Sequence, residues 1–192
     1  MMAHKLLSDV VVLISGSGSN LQSIIDNADN IGIKIQSVVS NKADAFGLER
    51  AKKAGIATQF IDHTQFSTRE AFDQALIQHI DTLNPKLVIL AGFMRILSAD
   101  FINAFAGKIL NIHPALLPKF KGLNTHQRAI DAHEEFAGAT VHFVTNELDS
   151  GAIILQKSVA IELNDTAKSL AAKVLEQEHI LYPIAIKKVL QK

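Results

Sequence analysis

Cysteine is absent from the 192 residues. That excludes disulfides, thiolate metal sites and a cysteine nucleophile. An excess of charge is also missing: 19 Lys and Arg balance 19 Asp and Glu, for a formal net charge of zero. Nothing in that balance favours nonspecific binding to nucleic acid or attraction to an anionic membrane. Long apolar runs are lacking too, the longest being of strand length and far short of the roughly 20 residues a bilayer span requires. The amino-terminal stretch from Met1 to Asp9 carries no long apolar segment and no clear cleavage site. What is present is a sizeable core composition, 48% hydrophobic and 20% charged, spread over a length that suits one domain. We expect a single domain over 1–192, located in the cytoplasm.

Strand and helix signals alternate along the chain. Val10 to Ile14 is a β-branched strand, and Leu21, Ile24, Ile25 and Ala28 follow at helical spacing. Ser19 with Gln22, and Ser67 with Glu70, read as capping boxes. Further strands are expected at 33–39, 57–61, 87–91 and 109–112, with helices at 47–53, from about 67 to 83, and at 98–105. Pro114 cannot donate to a ladder and should end the fifth strand. Beyond it the alternation changes: 116–125 reads as loop, 127–133 as helix, and 140–144 and 152–161 as two late strands. A last helix starts near Thr166, and Pro183 should kink it. Repeated βα units argue for an α/β, Rossmann-like, mostly parallel twisted sheet with helices on both faces, completed by late antiparallel strands. Such sheets bind ligands beyond the carboxyl ends of their strands.

Three motifs at such ends carry chemistry. In Ser15-Gly-Ser-Gly-Ser-Asn20, glycines between a strand and a helix let backbone amides approach an anion, and the helix amino terminus adds partial positive charge. Leu21 stands where a dinucleotide fingerprint needs its third glycine, and no Gly-Lys-Ser/Thr ending occurs. A phosphate monoester fits better than a dinucleotide, and a tight turn without any ligand would read the same way. Asn111 and His113, two residues apart on a strand, point to one face. An amide beside an imidazole suits stabilisation of a developing oxyanion, and His can move a proton near neutral pH. For an isolated Asn-x-His, a histidine that merely hydrogen-bonds at a loop mouth is the commoner case. Asp149, in Leu148-Asp-Ser-Gly151, is a turn residue by composition. It matters only if the fold brings it to His113, where a carboxylate favours the charged imidazole. Arg69 and Glu178 read as ordinary surface charges. His126, His133 and His142 have no partner at metal-ligand spacing, so no metal is expected.

Taken together, Val11 to Leu21, Ser40-Asn-Lys-Ala-Asp-Ala-Phe-Gly-Leu-Glu-Arg-Ala51, Leu90-Ala-Gly-Phe-Met-Arg-Ile-Leu97, Leu110-Asn-Ile-His-Pro-Ala-Leu-Leu-Pro118 and Thr140 to Asp149 resemble the phosphoribosylglycinamide formyltransferases of purine synthesis. The resemblance covers about residues 10 to 185 and implies the formyltransferase fold. It implies transfer of a formyl group from 10-formyltetrahydrofolate, as co-substrate, to the amino group of glycinamide ribonucleotide, without a metal or a covalent enzyme intermediate. By resemblance, Gly18, Ser19 and Asn20 hold the ribonucleotide phosphate, and Glu178 lies near its glycinamide portion. Asn111, His113 and Asp149 are catalytic. Arg69, Met94, Arg95, Ile96, Leu97 and Asn111 contact the folate. The implied partners are these small molecules, with no nucleic acid and no membrane, in a monomer or homodimer.

Departures from the family pattern are local. Lys121 replaces a proline, Asn124 a histidine and Asn146 an aspartate, and Leu175 stands where a polar or basic residue often aids phosphate binding. Two other folate-dependent enzymes share parts of the pattern. Methionyl-tRNA formyltransferases add an RNA-binding domain, for which this chain is short and lacks basic excess. Formyltetrahydrofolate deformylases usually carry an extra amino-terminal domain. A noncatalytic ligand-binding module is the reading from a different class, and the Asn111, His113, Asp149 set speaks against it.

Overall fold

A computed structural model describes residues 7–191. The reading of the amino-terminal stretch falls on residues 1–6 and so lies outside that range. Seven strands form one sheet: β1 (Ser8–Ile14), β2 (Ile33–Ser40), β3 (Thr58–Phe60), β4 (Leu87–Leu90), β5 (Ile109–His113), β6 (Phe136–Phe143) and β7 (Ile153–Ala160), in the order β3-β2-β1-β4-β5-β6-β7. Strands β1 to β5 pair in parallel, while β6 runs antiparallel to both β5 and β7. The α/β, mostly parallel sheet with a late antiparallel strand is the one the alternation predicts.

Strand periodicity splits the core into two layers. Val10, Val12 and Ile14 of β1 face one layer; Val11 and Leu13 face the other. The first layer contains Leu21 and Ile24 of α1 (Ser19–Asp26), Ile31 of α2 (Ala28–Ile31), Leu48 and Ala51 of α3 (Phe46–Lys53), and Leu170, Val174 and Tyr182 of α7 (Ala167–Leu190). The second contains Phe72, Leu76 and Ile80 of α4 (Arg69–Asp81), with Phe101 and Ile102 of α5 (Ala99–Ala104). Helix α6 (Thr125–Asp131) packs beside α7. Because β1 is flanked by β2 on one side and β4 on the other, the chain reverses its direction of winding there. Open α/β sheets bind their ligands at such a switch point, here beyond the carboxyl ends of β1 and β4.

Several local expectations are corrected. The Ser19–Gln22 capping box does not form: Gly18 precedes α1 in the left-handed region (φ 69°) and no side chain caps the helix. Thr68, not Ser67, caps α4, accepting from Ala71 N. The helix spanning Leu21 to Ala28 divides at Asn27 into α1 and α2. Strand β6 starts at Phe136, four residues before the predicted Thr140. Gly138 lies within that strand, where a Cβ would lie 2.1 Å from Lys157 O. The glycine marks close approach of two strands, not the end of one. Pro183 lies inside α7, which continues to Leu190. A proline cannot bond the carbonyl four residues before it. The carbonyl of His179 instead accepts from Ser23 Oγ of α1 at 2.5 Å, which ties α7 to the helix behind the glycine loop.

Candidate active site

The carboxyl end of β5 presents Asn111 and His113 on one face, as their spacing requires. Antiparallel β6 pairs Asn111 with His142 and His113 with Thr140. The turn after β6 carries Asp149, which adopts φ 48°, and returns its carboxylate to the strand. Asp149 Oδ2 lies 3.4 Å from His113 Nδ1, with both side chains buried. The same oxygen accepts Gly122 N at 2.9 Å, so the loop after β5 is held to the Asp149 turn. The turn residue of the sequence is thus brought to the imidazole, 36 positions away in the chain.

Hydrogen-bond capacity assigns the protons. His113 Nε2 lies 2.9 Å from the Phe120 carbonyl. A carbonyl only accepts, so Nε2 carries a hydrogen. Both ring nitrogens of His113 face oxygen acceptors, the Phe120 carbonyl and the Asp149 carboxylate. His142 differs. Its Nδ1 donates to the Phe143 carbonyl at 2.8 Å, and burial, its largest influence, lowers its pKa below the ordinary histidine value. A neutral His142 leaves Nε2 as an acceptor for Asn111 Nδ2 at 3.4 Å. Asp149 Oδ1 also stands 3.8 Å from that Nε2, a distance that forms an ion pair only when the ring is charged.

The glycine loop follows β1. Gly18 is packed so tightly that a Cβ there would sit 2.5 Å from Gly47 Cα. Arg50 of α3 donates from Nε to the Ser17 carbonyl at 2.8 Å, bracing the loop from behind. Ser19 begins α1 and is partly exposed. Asn20, expected as a free donor, points inward: its Nδ2 donates to Glu178 Oε2 at 2.7 Å. Glu178 is no surface charge. It is buried, and burial raises its carboxyl pKa, with the Asn20 bond opposing that shift.

The segment after β4 divides by exposure. Met94 and Ile96 are 72% and 67% exposed, Arg95 is half-buried over the Phe72 ring, and Leu97 is packed into the second core layer. Leu97 therefore offers little side-chain surface to a ligand. Arg69 opens α4, is exposed and pairs with Glu70 at 3.2 Å. A cleft of about 620 Å³ lies behind the Pro114–Phe120 loop against α6 and β6, and none of Asn111, His113 or Asp149 lines it. Among the described residues, no group of three or more His, Asp or Glu is placed to hold a metal ion.

His142 is the side chain that motif reading missed. Its signal is register: only the pairing of β6 on β5 sets it opposite Asn111. Ser15 and Asn41 enter the sequence reading only as parts of longer motifs. Their side chains meet at 2.6 Å between the ends of β1 and β2.

Comparisons with known proteins bear on the family and the fold. The formyl transferase family model matches residues 8–186. Phosphoribosylglycinamide formyltransferase of Escherichia coli is 53% identical over 180 residues, covering 93% of this chain and 85% of that protein. The Haemophilus influenzae protein of the same name is 49% identical, covering 94% and 86%. Among solved structures, glycinamide ribonucleotide transformylase 1 from Symbiobacterium toebii superposes with a TM-score of 0.93 at 42% identity, over 97% of this chain and 89% of that one. The chain belongs to the formyl transferase family, among its phosphoribosylglycinamide formyltransferases.

Proposed function

We propose that this protein transfers the formyl group of 10-formyltetrahydrofolate to the amino group of glycinamide ribonucleotide, giving N-formylglycinamide ribonucleotide and tetrahydrofolate. The observation that carries the reading is the gathering of Asn111, His113 and Asp149 at the carboxyl end of β5, in a chain 53% identical to a protein named for that reaction. The glycine loop takes the phosphate of the ribonucleotide through backbone amides of Gly18 to Asn20, and Glu178 orients Asn20 beneath it. The reduced folate lies along Met94 to Leu97, and Arg69 at the start of α4 contacts it from the side.

The chemistry then needs no covalent enzyme intermediate. The neutral amine attacks the formyl carbon, forming the new C–N bond and an oxyanion. Asn111 Nδ2 and a proton of His113 donate to that oxygen, where donors in a site closed to water are most effective. Asp149 balances the charge of His113 and holds the ring in place. The amine passes its proton to a water that Asp149 holds, the bond from carbon to the folate nitrogen breaks, and that nitrogen takes up a proton from His113 or from the same water. In the described state the Phe120 carbonyl occupies His113 Nε2, so the loop after Pro118 shifts as the ligand enters.

The test is direct incubation with glycinamide ribonucleotide and 10-formyltetrahydrofolate, followed by separation of the products. Formylated ribonucleotide in step with tetrahydrofolate supports the reading. Folate hydrolysis without acceptor, or binding of both ligands without turnover, overturns it.

A further inference from the structure

The proposed phosphate loop and the proposed folate segment are joined by one buried hydroxyl. Ser15 follows β1 and is 4% exposed. Its Oγ donates to Asn41 Oδ1 at 2.6 Å and accepts the backbone N–H of Met94 at 2.8 Å. Its own backbone N–H donates to the Gly92 carbonyl at 3.1 Å. Asn41, 3% exposed, follows β2, and its carbonyl lies 3.0 Å from His63 Nδ1. The carboxyl ends of three neighbouring strands, β2, β1 and β4, are therefore laced through Ser15 at the switch point of the sheet.

The far end of the folate segment is held as well. Asp73, fully buried on α4, accepts Ser98 N through Oδ2 at 2.5 Å, and Ser98 Oγ caps α5. Met94 and Ser98 are thus the two anchored ends, and Arg95 to Leu97 span between them. Of these anchors, only Ser15 belongs also to the glycine loop. A shift of that loop carries the Met94 amide with it, because buried hydrogen bonds have no water to replace them.

We propose that Ser15, braced by Asn41, is a positioning residue that couples the two substrate half-sites, so that filling the phosphate loop tightens the folate segment. The assignment rests on the function proposed above. A ligand alters its neighbour's affinity only through such a differential contact, and the coupling is reciprocal.

The test measures tetrahydrofolate binding with and without saturating glycinamide ribonucleotide, in the wild type and in Ser15→Ala. We expect the ribonucleotide to tighten tetrahydrofolate about fivefold or more in the wild type, and the ratio to fall to about one in Ser15→Ala. Asn41→Ala removes the same brace from the other side. It should lose the same coupling, and the double variant should lose no more. A merely structural role would lower the fraction of active protein and leave the ratio intact. The proposal is overturned if the wild type shows no tightening, binds neither ligand, or keeps the same ratio in Ser15→Ala. Coupled binding without formyl transfer would overturn the proposed function and leave the coupling standing.

Discussion

Asn20 and Glu178 lie 158 positions apart in the chain and share a buried 2.7 Å hydrogen bond. The bond fastens the first turn of α1 to the middle of α7, beneath the glycine loop. Burial raises the Glu178 pKa, so the folded state holds its proton to higher pH than the unfolded chain does. The folded state binding more protons means that stability falls as pH rises. The contribution is complete below the unfolded carboxyl pKa and is lost as pH climbs through the folded one.

Glu178→Gln keeps an acceptor for Asn20 and removes the charge. Its Tm should match that of the wild type near pH 4 and exceed it at pH 8. A thermal melt series at the two pH values checks this, and a variant less stable at pH 8 would contradict the assignment. The same variant should bind glycinamide ribonucleotide more weakly, since its carboxylate is part of the proposed site.

His113→Ala and Asp149→Asn should each lower kcat by roughly 10²- to 10⁴-fold, and Asn111→Ala by about 10²- to 10³-fold. The Tm of each should stay within a few degrees of the wild type, because β5 and β6 remain paired through their backbones. Near-normal turnover in any one of the three would remove that residue from the mechanism.

Gly18→Ala should disable the glycine loop selectively. The residue has φ 69°, a conformation that costs an L-residue roughly 1–2 kcal/mol, and the new Cβ would press on Gly47 Cα. KM for glycinamide ribonucleotide should rise about tenfold or more, one factor of ten for each 1.4 kcal/mol of lost binding. Tetrahydrofolate binding without ribonucleotide should weaken much less. Steady-state kinetics and a separate folate titration distinguish the two effects.

Tyr182 is fully buried on α7, and its hydroxyl contacts the Leu90 and Leu110 carbonyls at 2.8 and 3.1 Å. One proton serves two acceptors on adjacent parallel strands, one residue before Asn111. Tyr182→Phe should cost about 1 kcal/mol of stability, read by urea unfolding, and should leave KM for both substrates near wild type. A loss above about 3 kcal/mol would mean that the hydroxyl holds the sheet together, not merely its edge contacts.

Much of this arrangement is legible in the sequence because it is local. The β-branched run at Val10 to Ile14, the two-residue spacing of Asn111 and His113, and the glycines around Gly18 each follow from short-range rules. Family resemblance extends the reading to Asp149. What stays hidden depends on register and on contacts between distant elements. His142 faces Asn111 only because β6 pairs antiparallel with β5. Glu178 reads as surface on its helix and is buried only once α7 packs on α1. Contacts of the same kind account for Gly138, which a neighbouring strand approaches closely, and for Pro183, whose freed His179 carbonyl accepts from Ser23.

The ladder between β5 and β6 also sets where the chain can change length. Asn111 faces His142 and His113 faces Thr140. One residue inserted within either strand would turn these side chains to the opposite face of the sheet. Residues added between Ala132 and Glu135, before β6 begins, leave that pairing untouched. Length variation among relatives should therefore collect in the connection after α6, and the two strands should keep their residue count even where their sequences drift.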